Sequence, residues 1–217
     1  MIGTPIVNLA DILAVEKEKE LQAMIDEFSC PYNMDVENFL KSKAIEFSKQ
    51  QLAATYFVFK QYKGNNVVVG YFSIAQKHFH IDLNKKRISK SMKKRISKYA
   101  QRDDDLKRYV ANAMLLGQLG KNFANGYNNL ITGDELLSIA CERIADIQRV
   151  SSGKLVYAEC EDTPRLIEFY ERNGFCYNPY PYTQPSIATG RKPIPLRIMT
   201  YQRTVTEAEY QKIKNLL

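Results

Sequence analysis

The stretch ATYFVFKQYKGNNVVVGYFSIA, residues 54–75, constrains the fold more than any other part of the chain. Two runs of aromatic and β-branched residues flank a turn-forming Lys-Gly-Asn-Asn, so the pattern predicts a β-hairpin. The first 50 residues have helical spacing instead, with one helix predicted over Ile12–Phe28 and a second that Asp35 can cap. A chain that changes period in this way is a mixed α/β protein.

The remaining sequence continues this alternation of strands and helices. A short apolar strand ends at Gly120, and Leu136, Leu137 and Ile144 share one face of a long amphipathic helix. Further strands are predicted at 154–160, from 175 and at 196–205, and further helices at 163–174 and from 206. Because no clear linker divides these elements, we expect one α/β (α+β) domain over residues 1–217.

Positive charge is concentrated in one segment. The chain has 31 Lys and Arg against 24 Asp and Glu, and Asn84–Arg102 holds nine of these bases and no acid. The rest, 22 bases against 24 acids, offers no broad basic face for nucleic acid. Apolar residues at helical spacing within the segment predict a basic helical insert at about 83–108, docked by its apolar stripe. The alternative is that Lys85–Arg102 binds an acidic partner such as tRNA or the phosphates of a cofactor.

The sequence argues against several other classes of protein. No run of 18 apolar residues is present and no basic region precedes the first apolar run, so we expect neither a membrane span nor a signal peptide. The four cysteines are scattered without a Cys-x-x-Cys pair, which excludes a common zinc site and fits reduced thiols in a cytoplasmic protein. His78, His80 and Asp82 alternate along an extended run, but a solvated set fits them better than a metal site.

A possible anion site lies between a predicted strand and a predicted helix. The strand ends at Gln118–Asn122, and a helix begins near Thr132–Asp134 after a loop of small and polar residues. Exposed amides at a helix N-terminus, next to a glycine, can bind an anion. Most such units bind nothing, so this feature needs support from its surroundings.

The order of elements from residue 115 to 175 resembles the Gcn5-related N-acetyltransferase (GNAT) family, and so do the residues LLGQLGKN and FYERNGF. The resemblance implies a mixed, mostly antiparallel central sheet flanked by helices, with acetyl-CoA as cosubstrate. LLGQLGKN is similar to the family's fourth strand, whose backbone binds the pantetheine arm. On that match Gln118, Leu119, Gly120 and Lys121 would hold the cofactor.

The loop before the long helix is similar to the family's pyrophosphate loop but departs from its motif. The family pattern is Gln/Arg-x-x-Gly-x-Gly/Ala, and only the final glycine is kept in the matching residues 128–133. Because backbone amides do the binding, the resemblance still implies contacts to the diphosphate. The residues concerned are Asn128, Asn129, Leu130, Ile131, Thr132, Gly133 and Asp134.

The segment VYAECEDTPRLIEFYERNGF resembles the family's fifth strand and the helix after it. The tyrosine of this signature is the family's usual general acid to the CoA thiolate, and here it is Tyr170. Phe169 is expected on the helix's apolar side and beside the cofactor, and Thr163 stands where the family often has an Asn. Glu159 and Glu161, on the strand face opposite Cys160, are the candidates for the general base.

The upstream residues 39–75 are similar to acetyltransferases of toxin–antitoxin modules. The leading hypothesis is therefore an acetyl-CoA-dependent N-acetyltransferase whose acceptor is a small amine, a protein amine or an aminoacyl-tRNA. The alternative is a nucleic-acid-binding or interaction module that keeps the fold without turnover. A monomer and a homodimer both remain open.

Overall fold

The computed structural model describes residues 4–15, 17–82, 94, 97–98, 100–151, 153, 155–177, 196–201, 211 and 214–215. Most of the predicted basic insert lies outside these residues, as do residues 178–195 and most of the predicted C-terminal helix. The helices are α1 (Leu9–Ala14), α2 (Glu18–Glu27), α3 (Met34–Ser42), α4 (Ala44–Lys49), α5 (Gly133–Ser151) and α6 (Pro164–Arg172). The strands are β1 (Ile6–Asn8), β2 (Ala54–Tyr62), β3 (Asn65–Asp82), β4 (Gln101–Asp103), β5 (Arg108–Lys121), β6 (Leu155–Glu161), β7 (Cys176–Tyr177) and β8 (Leu196–Tyr201).

The helices before β2 are shorter and more numerous than predicted. The expected two become four, because the chain breaks after α1 and again at Lys43, whose φ of −129° is not helical. The predicted cap at Asp35 is wrong. Asn33 caps α3 instead, since its side chain accepts hydrogen bonds from the amides of Asp35 (3.1 Å) and Val36 (3.2 Å).

The described strands form one mixed sheet in the order β1-β2-β3-β5-β6-β8-β7, with β4 beside β5. The pairs are antiparallel except β5–β6, which confirms the expected mostly antiparallel sheet. The predicted hairpin is present as β2 and β3, with Tyr62 paired to Asn65. Lys63 and Gly64 form its two-residue turn with φ values of 50° and 83°, which glycine adopts without strain.

Helices cover both faces of the sheet. One face packs against α5 and α6, with a core that includes Phe72, Leu116, Leu137, Ile144 and Ala158. The other face packs against α1–α4, with a second core that includes Leu21, Ile25, Leu40, Phe57 and Tyr71. The sheet is therefore buried on both sides, as in other layered α/β folds.

Strand β5 is longer than predicted, and its first residue fixes where the predicted insert joins the sheet. It begins at Arg108, and β3 and β5 remain paired as far as Asp82 and Arg108. The insert therefore leaves and rejoins the sheet at the amino end of β5, about 45 Å from Lys121 at about 3.4 Å per residue. Within the described part of the chain, no helix has the length and apolar character of a membrane span.

Candidate active site

Strands β5 and β6 part at their carboxyl ends. They are the one parallel pair among the described strands, and the last residues that they pair are Leu116 and Ala158. Beyond that point β5 continues to Lys121 beside β3, while β6 continues to Glu161 beside β8. Strands that part in this way leave a crevice at their carboxyl ends, a common position for ligands in α/β sheets.

A β-bulge at Gly117 marks the point of parting. Ser73 of β3 pairs with Gln118, whereas the next residue, Ile74, pairs with Leu116, so Gly117 is the extra residue. A Cβ atom at this position would lie 3.2 Å from Ser73 Oγ, which leaves little room for a side chain. The bulge bends β5 where the GNAT-like segment begins.

The four residues predicted to hold pantetheine lie on the parted end of β5. Leu119 packs toward the core under α5, whereas Gly120 faces α3 so closely that a Cβ there would overlap Val36 Cγ1. Gln118 and Lys121 are half-buried. Since β3 pairs with one edge of this segment, its other edge faces the crevice and can offer backbone groups to an extended ligand.

Two lysines hold the loop predicted to bind diphosphate. Lys121 Nζ donates to the carbonyl oxygens of Asn128 (2.8 Å) and Ile131 (3.1 Å). Lys60 Nζ, from β2, donates to the carbonyl of Leu130 (2.9 Å) and to Glu135 Oε1 (2.7 Å). The loop's carbonyl groups are thus bound by ammonium groups.

Helix α5 begins immediately after this loop. Thr132 Oγ1 accepts a hydrogen bond from the amide of Glu135 (3.0 Å) and so caps the helix. In the described part of the chain, the N–H groups of Ile131, Thr132 and Gly133 have no hydrogen-bond partner. Asn128 and Asn129, whose side chains contact each other, precede them in a 3-10 helix (Ala124–Asn129). The predicted loop therefore does end in free amides at a helix N-terminus.

Tyr170 and Phe169 differ in burial. Tyr170 is only 7% exposed and lies in the core, whereas Phe169 is half-buried at its edge. Phe169 packs against the start of α5, because a Cβ at Gly133 would lie 3.2 Å from Phe169 Cε2. Phe169 is thus the more accessible of the two aromatic residues.

The Tyr170 ring lies between Phe169 and Phe175, with ring centroids 5.1 and 5.3 Å away. Burial raises the pKa of its phenol well above the usual value, and the nearby thiols of Cys160 and Cys141 add to this rise. No described residue makes a hydrogen bond to the hydroxyl. Cys160 shares this core with Tyr170 and belongs to the part of β6 beyond its pairing with β5, so the core around Tyr170 extends to the end of the sheet where the two strands part.

Asp134, another predicted diphosphate residue, has its carboxylate engaged elsewhere. It accepts hydrogen bonds from Arg172 Nε (2.9 Å), Arg172 Nη2 (3.0 Å) and Asn173 Nδ2 (2.6 Å). The Arg172 and then the Asn173 hydrogen bonds hold the pKa of Asp134 below its usual value. This contact joins the start of α5 to the end of α6.

The two candidate bases differ in environment. Glu159 is half-buried, and burial raises the pKa of its carboxyl although Lys77 opposes the rise. Glu161 is exposed. Cys160 lies in the core between them in sequence, so both carboxylates occupy the opposite face of β6, as the alternation predicted.

Other predicted residues lie at the edges of the site. Thr163 is the N-cap residue of α6, but its side chain makes no capping hydrogen bond. Cys30, Cys141 and Cys160 are buried, and burial raises the pKa of Cys141 to about 12, which makes it a poor nucleophile. Among the described residues, no group of three potential metal ligands comes together.

Comparison with solved structures reveals the same fold. A Tyr-to-Phe mutant of KacT matches with a TM-score of 0.51 at 15% identity, over 89% of this chain and 91% of that chain. AtaTR bound with AcCoA matches with a TM-score of 0.51 at 13% identity, over 100% and 99% of the two chains. These neighbours are GNAT-type toxins. The chain has the GNAT fold.

The AtaT toxin complexed with acetyl-methionyl-tRNAfMet has the same fold as well, with a TM-score of 0.50 at 15% identity over 88% and 91% of the two chains. No protein-family model and no curated protein sequence matches the chain. At this level of identity the common feature is the GNAT fold itself, and it spans almost the whole length of the toxin structures.

Sequence reasoning missed two residues that shape the candidate site. Lys60 contacts a loop 70 residues away, and nothing in its local pattern distinguishes it from other strand lysines. Asn122 is 2% exposed; its Nδ2 donates to Val68 O (2.9 Å) and its Oδ1 accepts from the amides of Ser29 (3.2 Å) and Ala124 (3.0 Å). A polar residue directly after an apolar strand is a weak signal for such a role.

Proposed function

We propose that this protein is an acetyl-CoA-dependent N-acetyltransferase and that its acceptor is the amino group of an aminoacyl-tRNA. The GNAT fold supports the reaction class. The acceptor is suggested by the AtaT complex with acetyl-methionyl-tRNAfMet, and the donor by the AtaTR structure bound with AcCoA. The predicted basic segment Lys85–Arg102 is suited to contact with RNA phosphates.

In this proposal the cofactor extends along the crevice between β5 and β6. The edge of β5 from Gln118 to Lys121 binds the pantetheine amides, and the free amides from Ile131 to Gly133 bind the diphosphate. Phe169 and Thr163 flank the arm from α6. An amide of β5 near Leu119 polarises the thioester carbonyl as negative charge develops on its oxygen.

The reaction joins the acceptor nitrogen to the acetyl carbon. The nitrogen lone pair forms the C–N bond, and the carbonyl electron pair moves to oxygen and returns as the C–S bond breaks. The departing thiolate takes a proton from Tyr170, while the proton lost by nitrogen passes through water to Glu159. Exchange with solvent then restores the proton on Tyr170 and frees Glu159.

The single observation that carries the proposal is the Tyr170 hydroxyl. Tyr170 is largely buried, yet no described residue supplies a hydrogen-bond partner for its hydroxyl. Its raised pKa keeps it protonated at neutral pH, so it can donate to sulfur as the C–S bond breaks. A donor without a partner among the described residues, close to where β5 and β6 part, is suited to a ligand.

Glu159 is the better of the two candidate bases. Its raised pKa brings it closer to neutral pH, where a general base is most effective. Glu161 is exposed and shares the strand face, which makes it the natural comparison.

Free-thiol release tests the proposal directly. The purified protein is incubated with acetyl-CoA and, in turn, with small amines, peptides and aminoacyl-tRNAs, and CoA release is followed. We expect the fastest release with aminoacyl-tRNA. Faster release with another acceptor would refute the acceptor assignment, and absence of acetyl-CoA binding up to about 1 mM would refute the enzyme. Binding without release across the panel would favour the non-catalytic module.

A further inference from the structure

Two lysines orient the peptide groups of the loop between β5 and α5. We infer that Lys60 and Lys121 are positioning residues that turn the N–H groups of Ile131 and Thr132 toward the diphosphate of acetyl-CoA. The inference rests on the proposed function and deepens it, because it explains how the loop can work without most of its family motif. Neither lysine touches the reacting atoms.

The geometry follows from the planarity of the peptide bond. In a trans peptide the carbonyl of one residue and the N–H of the next point in opposite directions. Lys60 Nζ binds the carbonyl of Leu130, so the N–H of Ile131 points away from Lys60. Lys121 Nζ binds the carbonyl of Ile131, so the N–H of Thr132 points away from Lys121.

The neighbouring peptide group behaves differently and supports this reading. Neither lysine binds the carbonyl of Asn129, and the N–H of Leu130 in the same peptide donates to Tyr127 O (3.0 Å). Lysine binds three peptide carbonyls of this segment, those of Asn128, Leu130 and Ile131. The N–H groups of Ile131 and Thr132, which belong to the last two of these peptides, have no partner in the described part of the chain. The lysines thus also keep carbonyl oxygens away from the side on which an anion would bind.

Charge separates the roles of the two lysines. Lys60 is paired with Glu135 at 2.7 Å, with side chains 27% and 40% exposed, so its positive charge is largely compensated. Lys121 has no ion-pair partner among the described residues and lies 5.8 Å from the centre of the Phe123 ring. Lys60 therefore acts through orientation, and Lys121 adds a positive charge near the diphosphate.

The test compares two acetyl donors with the same acceptor. Acetyl-CoA carries the diphosphate, whereas S-acetylpantetheine has the same thioester arm without it. Steady-state kcat and KM are measured with both donors for the wild type, Lys60→Met and Lys121→Met. Lys63→Met is the matched control, because Lys63 belongs to the same hairpin and packs over Tyr62 instead of the loop. Lys121→Arg restores the charge.

We expect each loop-lysine variant to raise the KM for acetyl-CoA about tenfold, which corresponds to loss of one charge-assisted hydrogen bond. For Lys60→Met, the KM for S-acetylpantetheine and both kcat values should change less than about twofold. For Lys121→Met, which lies on the strand edge proposed to bind pantetheine, the KM for S-acetylpantetheine should rise less than the KM for acetyl-CoA. Lys63→Met should behave as the wild type, and Lys121→Arg should recover part of the loss.

Equal changes for the two donors, or no change for acetyl-CoA, would overturn the inference. Either result differs from failure of the proposed function, in which the wild type itself would not use acetyl-CoA. Thermal melting checks folding of each variant. If Lys121→Met does not fold, Lys60→Met alone tests the inference, because Lys60 lies on the β2–β3 hairpin and not on β5.

Discussion

Asp134 at the start of α5 and Arg172 at the end of α6 form two parallel hydrogen bonds of 2.9 and 3.0 Å. Asn173 adds a third bond to the same carboxylate. The pair connects the loop proposed to bind diphosphate with the helix that carries Tyr170. Bidentate Arg–carboxylate contacts fix orientation as well as distance, so the two parts of the site are held in one arrangement.

The Asp134–Arg172 pair should stabilise the fold only above acidic pH. Its partners hold the pKa of Asp134 below the usual value of about 3.9, so the contribution is present above that pH and is lost as pH falls through the folded-state pKa. Both side chains are about half exposed, so we expect Arg172→Met to lower the melting temperature at pH 7 by no more than about 4 °C.

Melting curves at pH 7 and pH 3 check this prediction. The difference between wild type and Arg172→Met should shrink at pH 3. Lys17→Met, which removes an exposed contact to Glu20 at the start of α2, is the control and should have a smaller effect at both pH values. A difference that stays constant with pH would show that the arginine acts through packing on Phe169 and not through Asp134.

Glu159 should control the acid side of the pH–rate profile. Its carboxyl has a raised pKa, so kcat/KM should fall as pH decreases through a value above the usual 4.3 for glutamate. The acceptor amine also gains a proton at low pH, which contributes in every variant. Glu159→Gln should therefore lower kcat/KM about 100-fold. On the acid side of the profile, the dependence of kcat/KM on pH should change from that of two protonations in the wild type to that of one in the variant.

Glu161→Gln is the matched control for this measurement, because Glu161 lies two residues further along the same strand face. The pH–rate profile of Glu161→Gln should still show two protonations on its acid side. If Glu159→Gln also shows two protonations, or Glu161→Gln shows only one, Glu159 is not the base.

The sequence predicted those features that depend on local pattern. The hairpin of β2 and β3 follows from alternation around Lys63-Gly64, and α6 follows from Pro164 at its start and Gly174 after its end. The break at Lys43 was missed because Leu40 and Ala44, on either side of it, are both buried and keep the helical spacing. The helical spacing of apolar residues therefore continues across Lys43 although the helix itself is interrupted there.

Features that depend on distant contacts were not predictable. Helical spacing places Phe169 and Tyr170 on neighbouring parts of one face, and only the position of α5 decides that Tyr170 is the deeper residue. The true cap at Asn33 and the candidate at Asp35 are equally good capping residues, so the choice rests on where the chain enters the helix. Lys60 contacts the loop at Leu130 because the sheet brings β2 close to it, and no feature of the sequence around Lys60 indicates this contact.

Gly120 should tolerate no side chain unless α3 gives way. A Cβ at this position would overlap Val36 Cγ1, and Val36 is only 5% exposed. Gly120→Ala should therefore lower the free energy of unfolding by about 1–3 kcal/mol. In the double variant with Val36→Ala the clash is removed, so the combined loss should be smaller than the sum of the two single losses by about 1 kcal/mol. Urea unfolding of the four proteins measures this coupling, and strict additivity would contradict the contact.

Tyr170→Phe should separate catalysis from stability. No described residue makes a hydrogen bond to the hydroxyl, so its loss should change stability little. The melting temperature should remain within a few degrees of the wild type, and the acetyl-CoA dissociation constant within about twofold. Loss of the general acid should lower kcat by about 100-fold or more. Isothermal titration, thermal melting and thiol release give the three quantities.

Tyr56→Phe is the control, since Tyr56 is another tyrosine whose pKa is raised by burial. It is half-buried, belongs to β2 and stacks on Phe72 with ring centroids 5.2 Å apart. Its kcat should match the wild type. An unchanged kcat in Tyr170→Phe would remove the acid role, and a loss of acetyl-CoA affinity as large as the loss of kcat would make Tyr170 a binding residue. The proton donor of the reaction would then have to be sought on another element that borders the crevice between β5 and β6.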